Sequence, residues 1–205
     1  MNIVDVVEKI LKAAAGRKRY LVAIAGPPGA GKSTLAHELV RLLPNGLAVA
    51  VPMDGFHYDN AVLDQLNLRT RKGAPETFDF EGFTAILHRI RGLEPNVAIP
   101  IFDREADLAR AGAALIRQRL QFILVEGNYL LLDERPWSAL QDLFDLTIFL
   151  DVPRAELERR LMQRWLDLGD SQQKAENWVA TNDMPNVDRV LARRLREDIT
   201  LSTAK

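Results

Sequence analysis

Residues 24–34 read IAGPPGAGKST and lie between an apolar run and a segment with leucines at helical spacing. Gly26, Gly31, Lys32 and Ser33 satisfy the pattern G-x-x-x-x-G-K-[ST], which forms a phosphate-binding loop when a strand precedes it and a helix follows. Glycines let the backbone N–H groups turn inward toward phosphate oxygens, and the helix N-terminus adds partial positive charge. The stretch therefore predicts a nucleoside triphosphate site, whereas a glycine-rich turn without a ligand is the alternative.

Each residue type in this loop has a chemical task. We expect Lys32 to reach the β- and γ-phosphates and the Ser33 hydroxyl to ligate Mg²⁺. The two prolines would restrict the entry to the loop and lower the entropic cost of ordering it. The residues predicted to bind the nucleotide are Gly26, Pro27, Pro28, Gly29, Ala30, Gly31, Lys32, Ser33 and Thr34.

Composition limits the class of protein. The chain has 205 residues, of which 47% are hydrophobic and 27% charged, and its formal net charge is -1. This length predicts one domain over residues 1–205, and the near-neutral charge predicts no nucleic-acid partner. The absence of cysteine excludes disulfides and thiolate metal sites. No apolar run is long enough to predict membrane insertion, and the acidic N-terminal segment predicts a cytoplasmic protein.

Short apolar runs rich in β-branched residues predict buried parallel strands. These runs are YLVAIA from Tyr20, LAVAV from Leu47, FILVE from Phe122 and LTIFLDV from Leu146, with ITLS from Ile199 as a possible last strand. Helical spacing of apolar residues separates most of them, as in Leu35, Leu39 and Leu42. Alternating strands and helices predict an α/β fold with a parallel sheet covered on both faces.

Two acids end predicted strands. Asp54 follows the apolar residues that end at Met53, and Glu126 ends the run FILV. Open α/β sheets bind ligands at the carboxyl ends of their strands, so both carboxylates are expected near the phosphate loop. Asp54 could accept a proton from an acceptor hydroxyl or ligate a metal, and a turn is its alternative role. Glu126 is a candidate metal ligand with Ser33, and a loop cap is its alternative role.

Four segments together resemble the P-loop kinases of the uridine kinase, phosphoribulokinase and pantothenate kinase family. They are GPPGAGKST from Gly26, MDGFHYDN from Met53, RKGAPETFDF from Arg71 and ILVEGNYLL from Ile123. The resemblance implies a P-loop NTPase three-layer sandwich with a five-stranded parallel sheet in the order 2-3-1-4-5. It also implies ATP and Mg²⁺ as cofactors, Asp54 as catalytic base and Glu126 as a residue that helps to hold the metal.

A mobile arginine-bearing lid is a further implication of the resemblance, and it would lie at about residues 159–173. Arginine binds phosphate with two parallel hydrogen bonds and stays charged at any working pH, which suits it to a transferring phosphoryl group. We expect Arg164 to act in catalysis together with Lys32 and Asp54, and Arg160 to bind the nucleotide. A solvated helix face paired with neighbouring acids is the alternative.

The acceptor site is expected at about residues 54–80 and 100–112. Uridine kinases place an aspartate that contacts the ribose where this chain has Gly73, and the segment IPIFDREADLARAG from Ile99 departs from pantothenate kinases. Charged residues there suit a polyhydroxylated or anionic acceptor, with a charged surface hairpin as the alternative. The candidate acceptor residues are Asp54, His57, Arg71, Lys72, Asp103, Arg104 and Arg110.

The sequence therefore predicts a kinase that transfers the ATP γ-phosphate to an alcohol of a small molecule. The acceptor would be a sugar or a pantothenate- or nucleoside-like compound, and similar sequences often carry the label of a fructose transport system kinase. A regulatory ATP-binding protein or slow ATPase associated with a transport system is the alternative. A homodimer is compatible with the sequence, which does not indicate the oligomeric state.

Overall fold

The centre of the fold is a strand in which all six residues are buried, as its unbroken apolar sequence predicts. A computed structural model describes residues 2–202 of the chain. The domain predicted over residues 1–205 extends beyond this part at both ends. The strands are β1 (Tyr20–Ala25), β2 (Ala48–Pro52), β3 (Val97–Asp103), β4 (Leu108–Ile116), β5 (Phe122–Gly127), β6 (Leu146–Asp151) and β7 (Ile199–Ser202).

Five of these strands form one parallel sheet in the order β2-β5-β1-β6-β7. Strands β3 and β4 form a separate antiparallel hairpin, which was not among the strands predicted from the apolar runs. When only the five strands of the sheet are counted along the chain, their order reads 2-3-1-4-5, as the resemblance implied. All five predicted apolar runs lie in this sheet, and the boundaries differ from the predictions by one residue at most.

Helices cover both faces of the sheet. They are α1 (Ile3–Ala13), α2 (Lys32–Leu42), α3 (Asn60–Gln65), α4 (Phe80–Arg91), α5 (Arg154–Asp167), α6 (Gln172–Trp178) and α7 (Met184–Ala192). Helices α1 and α2 pack on one face, where Ile10 and Leu39 meet Val22 and Ile24 of β1. Helix α4 packs on the opposite face. The three-layer α/β prediction is therefore confirmed.

Helices α6 and α7 are joined by a π-helical turn at Val179–Asp183. A π-turn contains one residue more than an α-turn, and such turns are frequent at functional sites. Helix α5 packs with this region over Leu150 and Val152 at the end of β6. This packing brings the predicted lid segment next to the edge of the sheet that carries the phosphate-loop motif.

Within residues 2–202, no helix combines the length and apolarity needed to cross a membrane.

Candidate active site

The phosphate-loop motif lies between β1 and α2, in the context that the pattern requires. Gly31 caps α2 with a φ of 92°, a left-handed conformation that glycine adopts without the penalty of a Cβ. Lys32 is only 7% exposed, and its Nζ donates a hydrogen bond to the carbonyl of Pro27 over 2.9 Å. The lysine thus curls back over the loop, where it can neutralise phosphate charge.

Burial lowers the pKa of Lys32 to about 8, against the opposing effect of the carboxylates of Glu126 and Asp54. Its ammonium group is therefore enclosed by the loop and lies near Glu126 and Asp54, the two acids that the sequence predicts in the same site. A buried cation with a single backbone acceptor suits the anionic phosphates of a nucleotide. The loop as folded fits ATP.

Glu126 lies beside the loop because β5 is the neighbour of β1, with Glu126 in register with Ile24. Its Oε1 accepts a hydrogen bond from the Ser33 hydroxyl over 2.9 Å. Burial raises the pKa of Glu126, whereas Lys32 and the bond from Ser33 lower it. The two side chains predicted to hold Mg²⁺ are therefore adjacent.

A hydroxyl and a carboxylate are hard oxygen ligands of the type that Mg²⁺ prefers. Residues 2–202 contain no cluster of three or more His, Asp or Glu side chains that could hold a metal ion unaided. Magnesium commonly uses one or two protein groups and completes its shell with substrate phosphates and water. Ser33 and Glu126 fit that mode of binding.

Asp54 lies in a short 3₁₀ turn, Met53–Phe56, directly after β2. The next residue, Gly55, touches the hairpin so closely that a Cβ there would overlap the carbonyl of Pro100. The hairpin consequently packs next to Asp54. The Arg104 guanidinium donates a hydrogen bond to Asp54 Oδ2 over 2.8 Å. The predicted base thus has a cationic partner from a segment 50 residues away in sequence.

Two cavities meet at Arg104. One, of about 320 Å³, is lined by Ser33, Ala36, His37, Ala50, Pro52, Asp54, Ile101, Phe102, Arg104 and Glu126. The other, of about 410 Å³, is lined by Arg104, Arg159, Arg160, Gln163, Arg164, Asp167 and Leu168. The first contains the predicted base and metal-binding residues, and the second contains the arginines of the predicted lid.

One arginine of α5 contacts the phosphate loop. Arg160 donates to the carbonyl of Gly29 over 3.3 Å while also pairing with Glu156. Burial lowers the pKa of Arg164, and the nearby charge of Arg104 lowers it further. Arg159 lies farther out, where it pairs with Glu156 and is 66% exposed. Arg160 therefore contacts the phosphate loop, and Arg164 lines the same cavity as Arg160.

His57 packs between two aromatic rings that are tilted relative to its own, with centroid distances of 4.0 Å to Phe78 and 4.8 Å to Phe102. Its Nδ1 lies 2.8 Å from the carbonyl oxygen of Asp54. Burial lowers the pKa of His57, which favours the neutral imidazole. The residue lies next to the predicted base, and its ring packs between the Asp54 turn, the loop after it and the hairpin.

Lys72 is occupied by bonds within the protein. Its Nζ donates to Asn60 Oδ1 over 2.7 Å and to Asp107 Oδ1 over 2.8 Å, and it lies 5.2 Å from the ring centroid of Phe102. These bonds connect the loop after α3 to the tip of the hairpin. We call this arrangement the hairpin clasp, consisting of Lys72, Asn60 and Asp107.

Three other candidate acceptor residues lie outside both cavities. Arg71 pairs with Glu76 over 3.5 Å, and Arg110 pairs with Asp103 over 3.4 Å. Both arginine side chains are exposed, as the surface-hairpin alternative predicted. Of the predicted acceptor residues, only Asp54 and Arg104 line the cavity that contains Glu126.

Several residues outside the predicted set of site residues also shape this region. His37, one helical turn after Ser33, lines the cavity with Asp54, and its i+4 spacing from Ser33 was the available signal. Tyr129 donates its hydroxyl hydrogen to the carbonyl of Gly73 over 2.5 Å. Asn182, in the π-turn, donates to the carbonyl of Lys72 over 2.8 Å. The latter two bonds link distant segments, so no local pattern reveals them.

Comparison with known proteins agrees with this geometry. The sequence model of the phosphoribulokinase / uridine kinase family matches residues 21–198. The chain is 39% identical to "Uncharacterized protein YggC" of Escherichia coli, covering 85% of this chain and 74% of that protein. It is 30% identical to "Putative uridine kinase C227.14" of Schizosaccharomyces pombe, covering 90% and 83%.

Among solved structures, a "putative fructose transport system kinase" from Silicibacter superposes with a TM-score of 0.93. Its sequence is 44% identical, and the match covers 98% of this chain and 99% of that one. The fold and the order of its elements are therefore shared over the whole described chain.

Proposed function

The chain belongs to the phosphoribulokinase / uridine kinase family of ATP-dependent small-molecule kinases, and we propose that it phosphorylates an alcohol group of a polar metabolite. The acceptor classes considered are sugar-like, pantothenate-like and nucleoside-like compounds. ATP supplies the phosphoryl group when it is bound. The remaining roles, apart from that of Mg²⁺, are assigned to side chains of this chain.

In the proposed reaction, Asp54 accepts the proton of the acceptor hydroxyl while the hydroxyl oxygen forms a bond to the γ-phosphorus. The bond between the γ-phosphorus and the bridging oxygen breaks, and ADP leaves with that oxygen. Lys32 and Arg164 stabilise the negative charge on the transferring group. Ser33 and Glu126 would hold Mg²⁺, directly or through water, and Arg160 would bind the nucleotide.

One observation carries this proposal: Lys32, Asp54 and Glu126 come from three different segments and converge at one edge of the sheet. The charges of Asp54 and Glu126 both act on the buried ammonium group of Lys32. Register places Glu126 opposite Ile24 on one side and Pro52 on the other. This convergence supports a reacting phosphorus between the loop, Asp54 and Glu126.

The test is release of ADP from Mg-ATP with a panel of sugars, nucleosides and pantothenate. We expect turnover that requires an acceptor and that is abolished for every acceptor by Lys32→Ala. Acceptor-independent loss of ATP would instead support the regulatory ATPase that the sequence left open. An active Lys32→Ala variant would show that the triphosphate binds elsewhere.

A further inference from the structure

We propose that the acceptor is a hydroxylated anion, and that Arg104 binds its carboxylate or phosphate group. The inference rests on the proposed kinase function and narrows its acceptor class. It excludes neutral sugars and nucleosides as the preferred substrates. The argument depends on the contacts of Arg104 and on the distribution of charge around it.

Arg104 lies at the tip between β3 and β4, and its side chain is 50% exposed. Its Nη2 donates to Asp54 Oδ2 over 2.8 Å. A hydroxyl that gives its proton to Asp54 must approach the same carboxylate, so the guanidinium lies within contact distance of the reacting end of the acceptor. A guanidinium has five N–H donors, and the bond to Asp54 uses one of them.

The remaining donors of Arg104 set the chemistry of the partner. A guanidinium forms its strongest hydrogen bonds with carboxylates and phosphates, often two in parallel. An acceptor with an anionic group near its hydroxyl would bind Arg104 with that group and Asp54 with the hydroxyl. A neutral polyol would bind Asp54 but leave Arg104 without a second anion.

The proposal assigns Arg104 to the acceptor side of the site. Arg160 contacts the phosphate loop at the carbonyl of Gly29, whereas Arg104 contacts Asp54 on the acceptor side. Four arginines and a single acid, Asp167, line the larger cavity. That acid accepts a hydrogen bond from Gln163 over 2.8 Å. Arg159 and Arg160 pair with Glu156, so Arg104 is the cavity arginine that lies beside the predicted base.

The hairpin clasp holds Arg104 in this position. Lys72 binds Asp107, three residues after Arg104, and thereby fixes the tip of the hairpin to the loop after α3. An arginine on a fixed tip loses less conformational freedom when it binds an anion. Lys72 therefore contributes to acceptor binding by positioning Arg104 and does not contact the acceptor.

Matched pairs of compounds test the acceptor class. The pairs are glycerate and glycerol, gluconate and sorbitol, pantothenate and pantothenol, and fructose 6-phosphate and fructose. Affinities are measured by calorimetry on the protein saturated with Mg²⁺ and AMPPNP. We expect an anionic member to bind roughly tenfold or more tightly than its neutral partner. Tighter binding in the carboxylate pairs or in the phosphate pair shows which of the two anionic groups the acceptor carries.

Variants of Arg104 test the residue. Arg104→Ala should weaken binding of the preferred anion by roughly 10- to 100-fold and change binding of its neutral partner by less than about 3-fold. Arg104→Lys should recover part of the loss, because it keeps the charge but not the planar fork. Arg117→Ala is the matched control, since Arg117 is an exposed arginine directly after the same hairpin.

Each result decides between the two proposals. A protein that fails to bind AMPPNP contradicts the kinase function itself. If AMPPNP binds and both members of every pair bind equally, or neither binds, the anionic acceptor is wrong and the nucleotide site stands. If Arg104→Ala weakens the binding of the anion and of its neutral partner equally, Arg104 does not have the proposed role.

Discussion

The Ser33 hydroxyl donates a hydrogen bond to Glu126 Oε1 over 2.9 Å, although 93 positions separate them in sequence. The bond joins the first turn of α2 to the end of β5, and its geometry depends on the pairing of β1 with β5. Pairing of the strands thus holds together the two oxygen groups that we propose as ligands of one cation. This relationship yields a prediction about magnesium.

Glu126→Gln should raise the Mg²⁺ concentration for half-maximal activity by roughly 10- to 100-fold, because an amide oxygen is a weaker ligand than a carboxylate. Activity is measured against free Mg²⁺ at saturating ATP. Asp151→Asn is the control, since Asp151 also ends a strand but lies 3.9 Å from Arg194. An unchanged Mg²⁺ dependence in Glu126→Gln would exclude Glu126 as a residue that holds the metal.

Asp54→Asn should lower kcat by roughly 10²- to 10⁴-fold if Asp54 is the general base. The affinity for ATP should change little, because the proposed function assigns Asp54 to the acceptor side of the site. Steady-state turnover and nucleotide titration measure the two quantities separately. Asp64→Asn, an exposed aspartate on α3, should behave as the wild type. Near-normal turnover of Asp54→Asn would require another base.

The pKa of Lys32 predicts how nucleotide binding depends on pH. Burial lowers this pKa to about 8, so Lys32 loses its proton in the free protein as the pH rises above that value. Bound phosphates favour the protonated form, and phosphate groups themselves are fully ionised there. Affinity for AMPPNP should therefore be nearly constant below pH 7.5 and fall by up to about tenfold per pH unit above pH 8.

Fluorescence titration of an AMPPNP analogue between pH 6.5 and 9.5 measures this dependence. Lys32→Met should bind weakly at every pH and show no such fall, because it has no proton to lose. A wild-type affinity that stays constant through pH 9.5 would mean that Lys32 keeps its charge in the free protein. In that case the loop must be more open to solvent than its buried lysine indicates.

The hairpin clasp can be tested through coupling between its members. Lys72→Met and Asp107→Asn should each raise the KM for the acceptor with little change in kcat, because both loosen the tip that carries Arg104. The KM of the double variant should be no higher than that of the more damaging single variant. This non-additivity corresponds to a coupling of about 0.5–3 kcal/mol. If Lys72 instead contacts the acceptor, its effect will add to that of Asp107→Asn.

Local sequence patterns were enough to predict the strands and the phosphate loop, because these depend on residues close together in sequence. The boundaries of β1 follow from its unbroken apolar run, and the phosphate loop follows from glycine and lysine spacing. Asp54 and Glu126 could be placed together because parallel strands end at the same edge of a sheet. Their meeting with Lys32 therefore needed no long-range information.

Contacts that depend on the docking of separate elements could not be predicted in this way. Arg104 meets Asp54 only because the hairpin packs against Gly55, and Lys72 reaches Asp107 across the same interface. Both arginine and lysine were assigned to the acceptor from charge alone. Charge alone did not distinguish an arginine that lines the cavity from a lysine that holds the hairpin.

Asp145 should support the opposite edge of the sheet without affecting catalysis. Its side chain is 5% exposed, accepts a hydrogen bond from the backbone N–H of Leu21 over 2.9 Å, and pairs with Arg17 and Arg91. Asp145→Ala leaves that N–H without its acceptor and two guanidinium groups without their anion. We expect a loss of roughly 2–3 kcal/mol in the free energy of unfolding.

Urea unfolding measures this loss, and kcat of the folded Asp145→Ala enzyme should stay within about twofold of the wild type. The side chain lies before β6, whereas the active site lies beyond the carboxyl ends of the strands, so the two effects are separable. Asp142→Ala, an exposed aspartate three residues earlier, should leave both quantities unchanged. A fall in kcat without a fall in stability would mean that strain at this edge reaches the phosphate loop through β1.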